Sequence, residues 1–361
     1  MNSENIRKNG KILHIVNIPW YSGLAGYALD MARYLKELGY ENIFAVVGSS
    51  AIYNRIFGSY EVIALQGRGP LDSIKGFAAL LKHNSGIDLV IAHTGSSFFM
   101  GALMGLLRNI PVWRVRAEKG NVKKNIFNAV MHRQAANIII PMESIRHEFA
   151  GIVKDDKKIF LLPPVVDTVK FGKSELPAGT DIAVVGRLDS VKGHRTLIRS
   201  LVTVKKEIAG IRVLFSGKEA GVKWKDLEKY AADLGVRESI SCLGYLDDEK
   251  LSGLMKSCRI GIVPSTGSEA VSRVALEWMA CARPVIASNV GSLPETVSEG
   301  VNGFLIEPGD HETMAERITW VLKNRNLNAK MGLKSREIIE NRFSPVVYKE
   351  KLKKLLASLN E

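Results

Sequence analysis

Short apolar runs alternate with amphipathic stretches along nearly the whole chain, and this alternation restricts the possible folds more than any other feature. Lys11–Val16, Ile43–Val47, Val62–Leu65, Asp88–Ala92, Pro111–Val115 and Asn137–Ile140 read as strands apolar on both faces. Between them, Tyr27–Leu38 and Leu71–Lys82 place apolar residues at helical spacing, and Gly39 follows the first as a helix-ending glycine does. Strands that bury both faces must be covered by helices on both, which predicts a parallel, doubly wound α/β sheet.

The pattern breaks at Pro163-Pro164, and residues 165–180 lack a period and contain Gly172, Pro177 and Gly179, so an interdomain linker is expected there. Alternation restarts at Asp181. Strands are expected near 181–186, 211–216, 238–243, 259–263, 284–287 and 303–306, with helices near 192–209, 222–234, 247–257 and 270–280. From 311 onward the chain reads as helical, ending in an amphipathic segment over 345–358 with Pro345 in its first turn. The expected organisation is therefore a Rossmann-like domain over 1–164, a second over 165–340, and a C-terminal helix within 341–361 that packs back toward the first. Two such domains imply a cleft, and functional residues belong just beyond the carboxyl ends of strands.

The 361 residues suffice for two cores. Net charge is +13, of which residues 1–163 contribute +8 (20 basic, 12 acidic) and residues 164–361 contribute +5 (30 basic, 25 acidic). Such an excess attracts polyanions without choosing among nucleic acid, anionic lipid and phosphorylated substrates. No helix-turn-helix, RNA-binding sheet motif or aromatic interleaving supports nucleic acid as the partner. The first ten residues lack an apolar leader core, and the longest apolar run, Phe98–Leu107, is too short to span a bilayer. Cys242, Cys258 and Cys281 form no metal-ligand spacing and suit a reducing, cytoplasmic setting.

Four segments have chemical character. Arg187 and Lys192 follow the first strand of the second half, where a guanidinium and an ammonium five residues apart suit a diphosphate. The run Ser265–Ala280 passes from a strand through a Ser/Thr/Gly loop into a helix expected from about Ala270. Its free N–H groups favour an anion, and Glu269 and Glu277 lie about two helical turns apart. Either acid could accept hydrogen bonds from a vicinal diol, or be an ordinary helix-capping or surface acid. Gly291-Ser292-Leu293-Pro294-Glu295 and Asn302-Gly303-Phe304-Leu305 carry turn chemistry. In the first half, Tyr21-Ser22-Gly23-Leu24-Ala25-Gly26 sits where a glycine loop can approach phosphate.

Together, Val185-Gly186-Arg187-Leu188, Lys192-Gly193, Glu269 with Glu277, Gly291 with Pro294-Glu295, and Asn302–Leu305 before Pro308 resemble glycosyltransferase family 4, among the group 1 glycosyltransferases with the GT-B fold. The resemblance covers nearly the whole chain and is strongest over 181–310. It implies a retaining, metal-independent transferase using a nucleotide-diphosphate sugar, with a UDP-sugar expected. Arg187 and Lys192 would hold the diphosphate, Glu277 the ribose, and Glu269 the donor sugar. Backbone N–H groups of Ala270, Val271 and Ser272 would meet the distal phosphate, and Gly23 and Gly26 would close over the donor. No Asp-x-Asp pair is placed to hold a metal.

The sequence departs from the family at three places. Glu269-Ala270-Val271-Ser272 replaces Glu-Gly-Phe-Gly, with Arg273 as a compensating cation; Ala117 stands where many members carry a histidine; and the glycine loop lacks adjacent glycines. His93, after the preceding strand, is the candidate substitute for that histidine. On the acceptor side, Arg114, Arg116, Lys119, Lys123 and Lys124 cluster near Glu118, ahead of a helix bearing Ile126, Phe127, Val130 and Met131. That helix suits either an anionic membrane surface or the core. The expected acceptor is a glycan, lipid-linked or phosphorylated, of bacterial cell-envelope polysaccharide or lipopolysaccharide synthesis, with the enzyme peripheral on the inner face of the plasma membrane. A non-catalytic sugar-nucleotide-binding partner of another transferase and a sugar-nucleotide epimerase of the same fold remain as alternatives.

Overall fold

The computed structural model describes residues 9–20, 22–66, 70–82, 86–118, 122–179, 181–267 and 269–359. The chain divides into two compact units, Met1–Val165 with Tyr348–Glu361, and Val166–Val347. Each is built on one wholly parallel sheet.

The first unit runs β1 (Lys11–Val16), α1 (Gly23–Glu37), β2 (Glu41–Val47), α2 (Ala51–Ile56), β3 (Glu61–Leu65), α3 (Pro70–Lys82), β4 (Ile87–Ala92), α4 (Gly95–Arg108), β5 (Val112–Val115), α5 (Ile126–Arg133), β6 (Asn137–Ile140) and β7 (Ile159–Leu161). Strand order is β3-β2-β1-β4-β5-β6-β7, so winding reverses between β1 and β4. The apolar run at 98–107 is α4. It lies close on the sheet because Gly101 and Gly105 face Val90 and Val112, and a Cβ on Gly105 would stand 2.5 Å from Val112 Cγ2. Its other face leaves Phe99, Leu106 and Leu107 in solvent.

The second unit contains β8 (Ile182–Val185), α6 (His194–Glu207), β9 (Val213–Ser216), α7 (Trp224–Asp233), β10 (Ile240–Cys242), α8 (Asp248–Ser257), β11 (Ile260–Val263), α9 (Arg273–Ala280), β12 (Val285–Ser288), β13 (Gly303–Ile306), α10 (His311–Lys323) and α11 (Arg325–Arg342). Its order is β10-β9-β8-β11-β12-β13, with the reversal between β8 and β11. The final helix, α12 (Pro345–Ala357), spans the division. Tyr348, Leu352 and Leu355 on it join the first unit's core with Tyr27, Tyr34 and Trp113.

The expected linker is in large part folded into the second unit. Val166 and Phe171 are buried among its core residues, and the Val166 N–H bonds the Phe343 carbonyl at 2.9 Å. The buried Arg283 guanidinium donates to the carbonyls of Glu175 (2.7 Å), Lys256 (2.8 Å) and Cys258 (2.8 Å), which fixes the irregular segment to the sheet. An aperiodic run with two buried apolar side chains and one cation to collect its carbonyls needs no helix or strand to be ordered.

Two further expectations change. Helix α9 begins at Arg273, three residues later than read, because Ser272 is its N-cap in a non-helical conformation. Helix α5 buries only part of its apolar side: Met131 packs against the first unit's core, whereas Ile126 is 84% and Phe127 55% exposed and Val130 is also in solvent. The core-facing reading of that helix holds for Met131 and fails for Ile126, Phe127 and Val130.

Helix α9 is seated by Trp278, fully buried against Gly261 of β11, where an added Cβ would lie 2.2 Å from the indole ring. Gly261→Ala is expected to cost about 1–3 kcal/mol of unfolding free energy through overpacking, measurable by denaturant titration.

Candidate active site

In the second unit, the loop after β8 and the loop after β11 are tied together at the winding reversal. Asp189 accepts the Lys192 N–H at 3.1 Å and turns the chain through a short 3-10 segment. Gly193 follows with φ +67°, and a Cβ there would fall 1.7 Å from the Pro264 carbonyl oxygen. Glycine at this position therefore lets the two loops touch. The Thr266 N–H closes the junction on the Val191 carbonyl at 2.8 Å.

This junction brings Lys192 to Glu269. The ammonium forms an ion pair with the Glu269 carboxylate, which also accepts the Ser265 hydroxyl at 2.6 Å. Glu269 is buried, and its backbone is held from a third loop: the Ser292 N–H and hydroxyl both reach its carbonyl, at 2.8 and 2.9 Å. Gly291, at φ +57°, makes that approach possible, since a Cβ there would lie 2.3 Å from the same oxygen. The Gly-Ser turn is thus a clamp on the acid. Glu269 precedes the helix and does not cap it, so two turns of helix do not relate it to Glu277. Glu277 is the fifth residue of α9 and partly exposed.

Arg187, directly after β8, extends into solvent with its side chain 65% exposed and pairs with Asp189 at 3.0 Å. His194 Nε2 lies 2.9 Å from the Arg187 carbonyl oxygen and donates to it, anchoring the loop from below. Burial lowers the His194 pKa, keeping the ring neutral. Ala270 and Val271 form bends before the N-cap Ser272, placing residues 270–272 at the start of α9. Asp189, His194, Ser265 and Ser292 were not singled out from the sequence. Only Asp189, three residues before the Lys192 N–H it accepts, had a local signal.

In the first unit, the glycine loop is already helix. Gly23 is the exposed first residue of α1, but the Gly26 N–H bonds the Ser22 carbonyl at 2.9 Å inside the first turn. Gly26 is therefore corrected from phosphate donor to helix residue. His93 is likewise corrected. It is fully buried, with Nε2 3.0 Å from His14 Nδ1, and His14 Nε2 is 2.9 Å from Asn42 Oδ1. Burial depresses His14 to about 4 and places His93 well below its usual value, so both rings are neutral and enclosed within the first unit.

Arg114 and Arg116 do not form a solvated basic patch. Each side chain is 3% exposed and paired with Glu118, and Arg116 also pairs with Glu148 at 2.7 Å. Glu118 further accepts the Gly95 N–H at the start of α4. Lys123 and Lys124 are exposed, whereas Tyr21, Lys119 and Ser268 lie outside the described residues.

The sequence profile described as "Glycosyl transferases group 1" matches residues 168–338. Residues 168–338 belong to the group 1 glycosyltransferases. The D-inositol 3-phosphate glycosyltransferase of Segniliparus rotundus is 29% identical over 187 residues, 48% of this chain and 41% of the relative. The chain thus spans about two fifths of the length of that curated relative. Anabaena HepE, solved in complex with UDP, superposes with a TM-score of 0.82 at 20% identity, covering 96% of this chain and all of the other. A Rickettsia africae glycosyltransferase superposes at 0.83, also at 20% identity, over 98% of this chain and 99% of the other. The fold is GT-B. Within the matched segment, Lys192, Glu269 and Arg187 gather at the winding reversal of the second sheet, where ligands of doubly wound sheets bind.

The neutral histidine pair sets a stability prediction. Folded His14 and His93 bind protons less readily than in the unfolded chain, so the unfolded state takes up protons first as pH falls below about 6.5. Through His14 stability is expected to drop by roughly 3 kcal/mol at most between pH 6.5 and about 4, the value to which it is lowered, and His93 acts in the same direction. Denaturant unfolding across that range should show the slope, and His14→Gln should flatten it.

Proposed function

We propose that the protein transfers a sugar from a UDP-sugar to a glycan or lipid-linked acceptor with retention at the anomeric carbon. The observation that supports this reading is the meeting of Lys192, Glu269 and Ser265 beside the exposed Arg187. Two cations at a strand end fit a leaving diphosphate, and a buried carboxylate next to them fits sugar hydroxyls. Further support comes from Anabaena HepE, whose structures include complexes with UDP and with UDP-glucose.

In this reading, Arg187 and Lys192 hold the diphosphate, with the N–H groups of residues 270–272 on its distal phosphate. Glu277 takes the ribose, and Glu269 takes the donor sugar. Lys192 then exchanges part of its contact with Glu269 for a phosphate oxygen. The bond from the anomeric carbon to the diphosphate oxygen breaks as the cations stabilise the developing charge. The acceptor hydroxyl bonds the same carbon on the same face and gives its proton to the departing diphosphate. No metal is required, because the two side-chain cations supply the compensating charge.

The same reading places the first unit on an anionic membrane surface of the cell envelope, where polysaccharide or lipopolysaccharide precursors reside. Ile126, Phe127 and Val130 on α5 and Phe99 on α4 are exposed, and the Phe99 and Phe127 ring centroids lie 6.1 Å apart. Lys123 and Lys124 flank them in solvent. Exposed aromatics and aliphatics beside lysines are what an anionic interface binds. Among the described residues no helix is long and apolar enough to cross a membrane.

Thermal denaturation should show UDP stabilising the wild type, because a ligand bound only by the folded state raises Tm. Arg187→Ala is expected to lower UDP affinity about tenfold or more, the loss of a charge-assisted contact. Absence of any UDP shift at millimolar concentration would overturn the donor assignment. In co-sedimentation, phosphatidylglycerol-containing vesicles should retain the protein over neutral ones, and Lys123→Glu with Lys124→Glu should weaken this by about tenfold.

A further inference from the structure

At the winding reversal of the first sheet, Asn17 follows β1, Thr94-Gly95-Ser96 follow β4, and Arg116 and Glu118 follow β5. The Asn17 amide donates to the Ser96 hydroxyl at 2.8 Å. Thr94 caps α4 with its hydroxyl on the Ser97 N–H at 3.0 Å, leaving Gly95 as the first helical residue. At this helix start sits one carboxylate, Glu118, which receives the Gly95 N–H, the Arg114 guanidinium and the Arg116 guanidinium.

The burial pattern is uneven. Both arginine side chains are 3% exposed and cannot leave, and Arg114 Nε has no hydrogen-bond partner. Glu118 is 24% exposed, and Gly95 and Ser96 are exposed beside it. The cations are therefore fixed from within, whereas their anion stands at the solvent side. A helix N-terminus with two guanidiniums in place binds a phosphate as readily as a carboxylate, and more strongly when the phosphate is a dianion. The sequence placed Arg114, Arg116 and Glu118 together on the acceptor side, and the structure separates their roles: Arg116 is already neutralised from within by Glu148, whose side chain is 10% exposed, whereas Glu118 faces solvent.

We propose that Glu118 occupies a phosphomonoester site, and that a phosphate group on the acceptor displaces it. Arg114, Arg116 and the Gly95 N–H then hold the phosphate oxygens, with the Ser96 hydroxyl within the same rim, while Glu118 turns to solvent. This names the acceptor class for the transferase reading and rests on it for the reaction, though the binding site stands by itself.

The test is binding of glycerol 3-phosphate to the full chain by titration calorimetry. Glu118→Gln removes the competing charge and is expected to tighten binding about tenfold, the worth of one charge-assisted hydrogen bond. Gly95→Pro removes the N–H at the one helical position where proline fits, and the preceding Thr94 is already extended at φ −136°, ψ 164°. It is expected to weaken binding about tenfold. Vesicles with phosphatidic acid, a phosphomonoester, against phosphatidylglycerol, a diester, identify the source. A phosphatidic acid preference abolished by Gly95→Pro indicates a lipid headgroup, and binding of glycerol 3-phosphate alone indicates a soluble acceptor. Unchanged or weaker binding in Glu118→Gln, or indifference to Gly95→Pro, overturns the proposal. UDP stabilisation of the same variants reports their folding and keeps the two readings apart: UDP binding without phosphate binding sinks only this site, and the converse sinks only the donor assignment.

Discussion

Every strand in this protein points the same way as its neighbours, and that constraint organises the rest. In a parallel sheet all strands deliver their following loops to one edge, and ligands of such sheets bind at that edge where the winding reverses. The reversal between β1 and β4 collects Asn17, Thr94, Gly95 and, through β5, Glu118. The reversal between β8 and β11 collects Arg187, Lys192, Ser265 and Glu269. The same topological device thus yields one charged site per unit.

The two sites treat charge differently. In the second unit, Arg187 is mostly exposed and Lys192 partly so, which leaves both cations within reach of a ligand, while their acidic neighbours Asp189 and Glu269 are largely buried. In the first unit the arginines are buried, and removing their carboxylates without a substitute would strand charge in a poorly solvated setting. Cations left in water can wait for an anionic substrate, whereas buried cations need an anion at all times. Glu118 is the resident anion on the solvent side.

Glycine is used for proximity around Lys192 and Glu269. Gly193 and Gly291 sit at positive φ with backbone oxygens of Pro264 and Glu269 inside the volume of a Cβ, so both loops close on the acid from opposite chain segments. The family's sequence pattern, with its Lys-Gly and its Gly followed by Pro-Glu, is in this chain a record of two backbone contacts. The replacement of Glu-Gly-Phe-Gly by Glu269-Ala270-Val271-Ser272 leaves those contacts intact, because neither involves residues 270–272.

The residues alone determined the parallel α/β class: Lys11–Val16 and Asn137–Ile140 have the strand bounds read from their apolar runs. The ordered motif set over 181–310 likewise determined the relationship to group 1 glycosyltransferases, which a profile over 168–338 matches. Only tertiary structure decided which charges meet. Lys192 and Glu269 are 77 residues apart, and no local spacing signals that two loops share an edge. It also decided burial. The period of α5 is the same whether its apolar face meets a core or solvent, and Arg114 looks basic in a sequence that does not show Glu118 and the α4 terminus beside it. Periodicity is a property of one segment, whereas exposure and pairing depend on what the rest of the chain places opposite it.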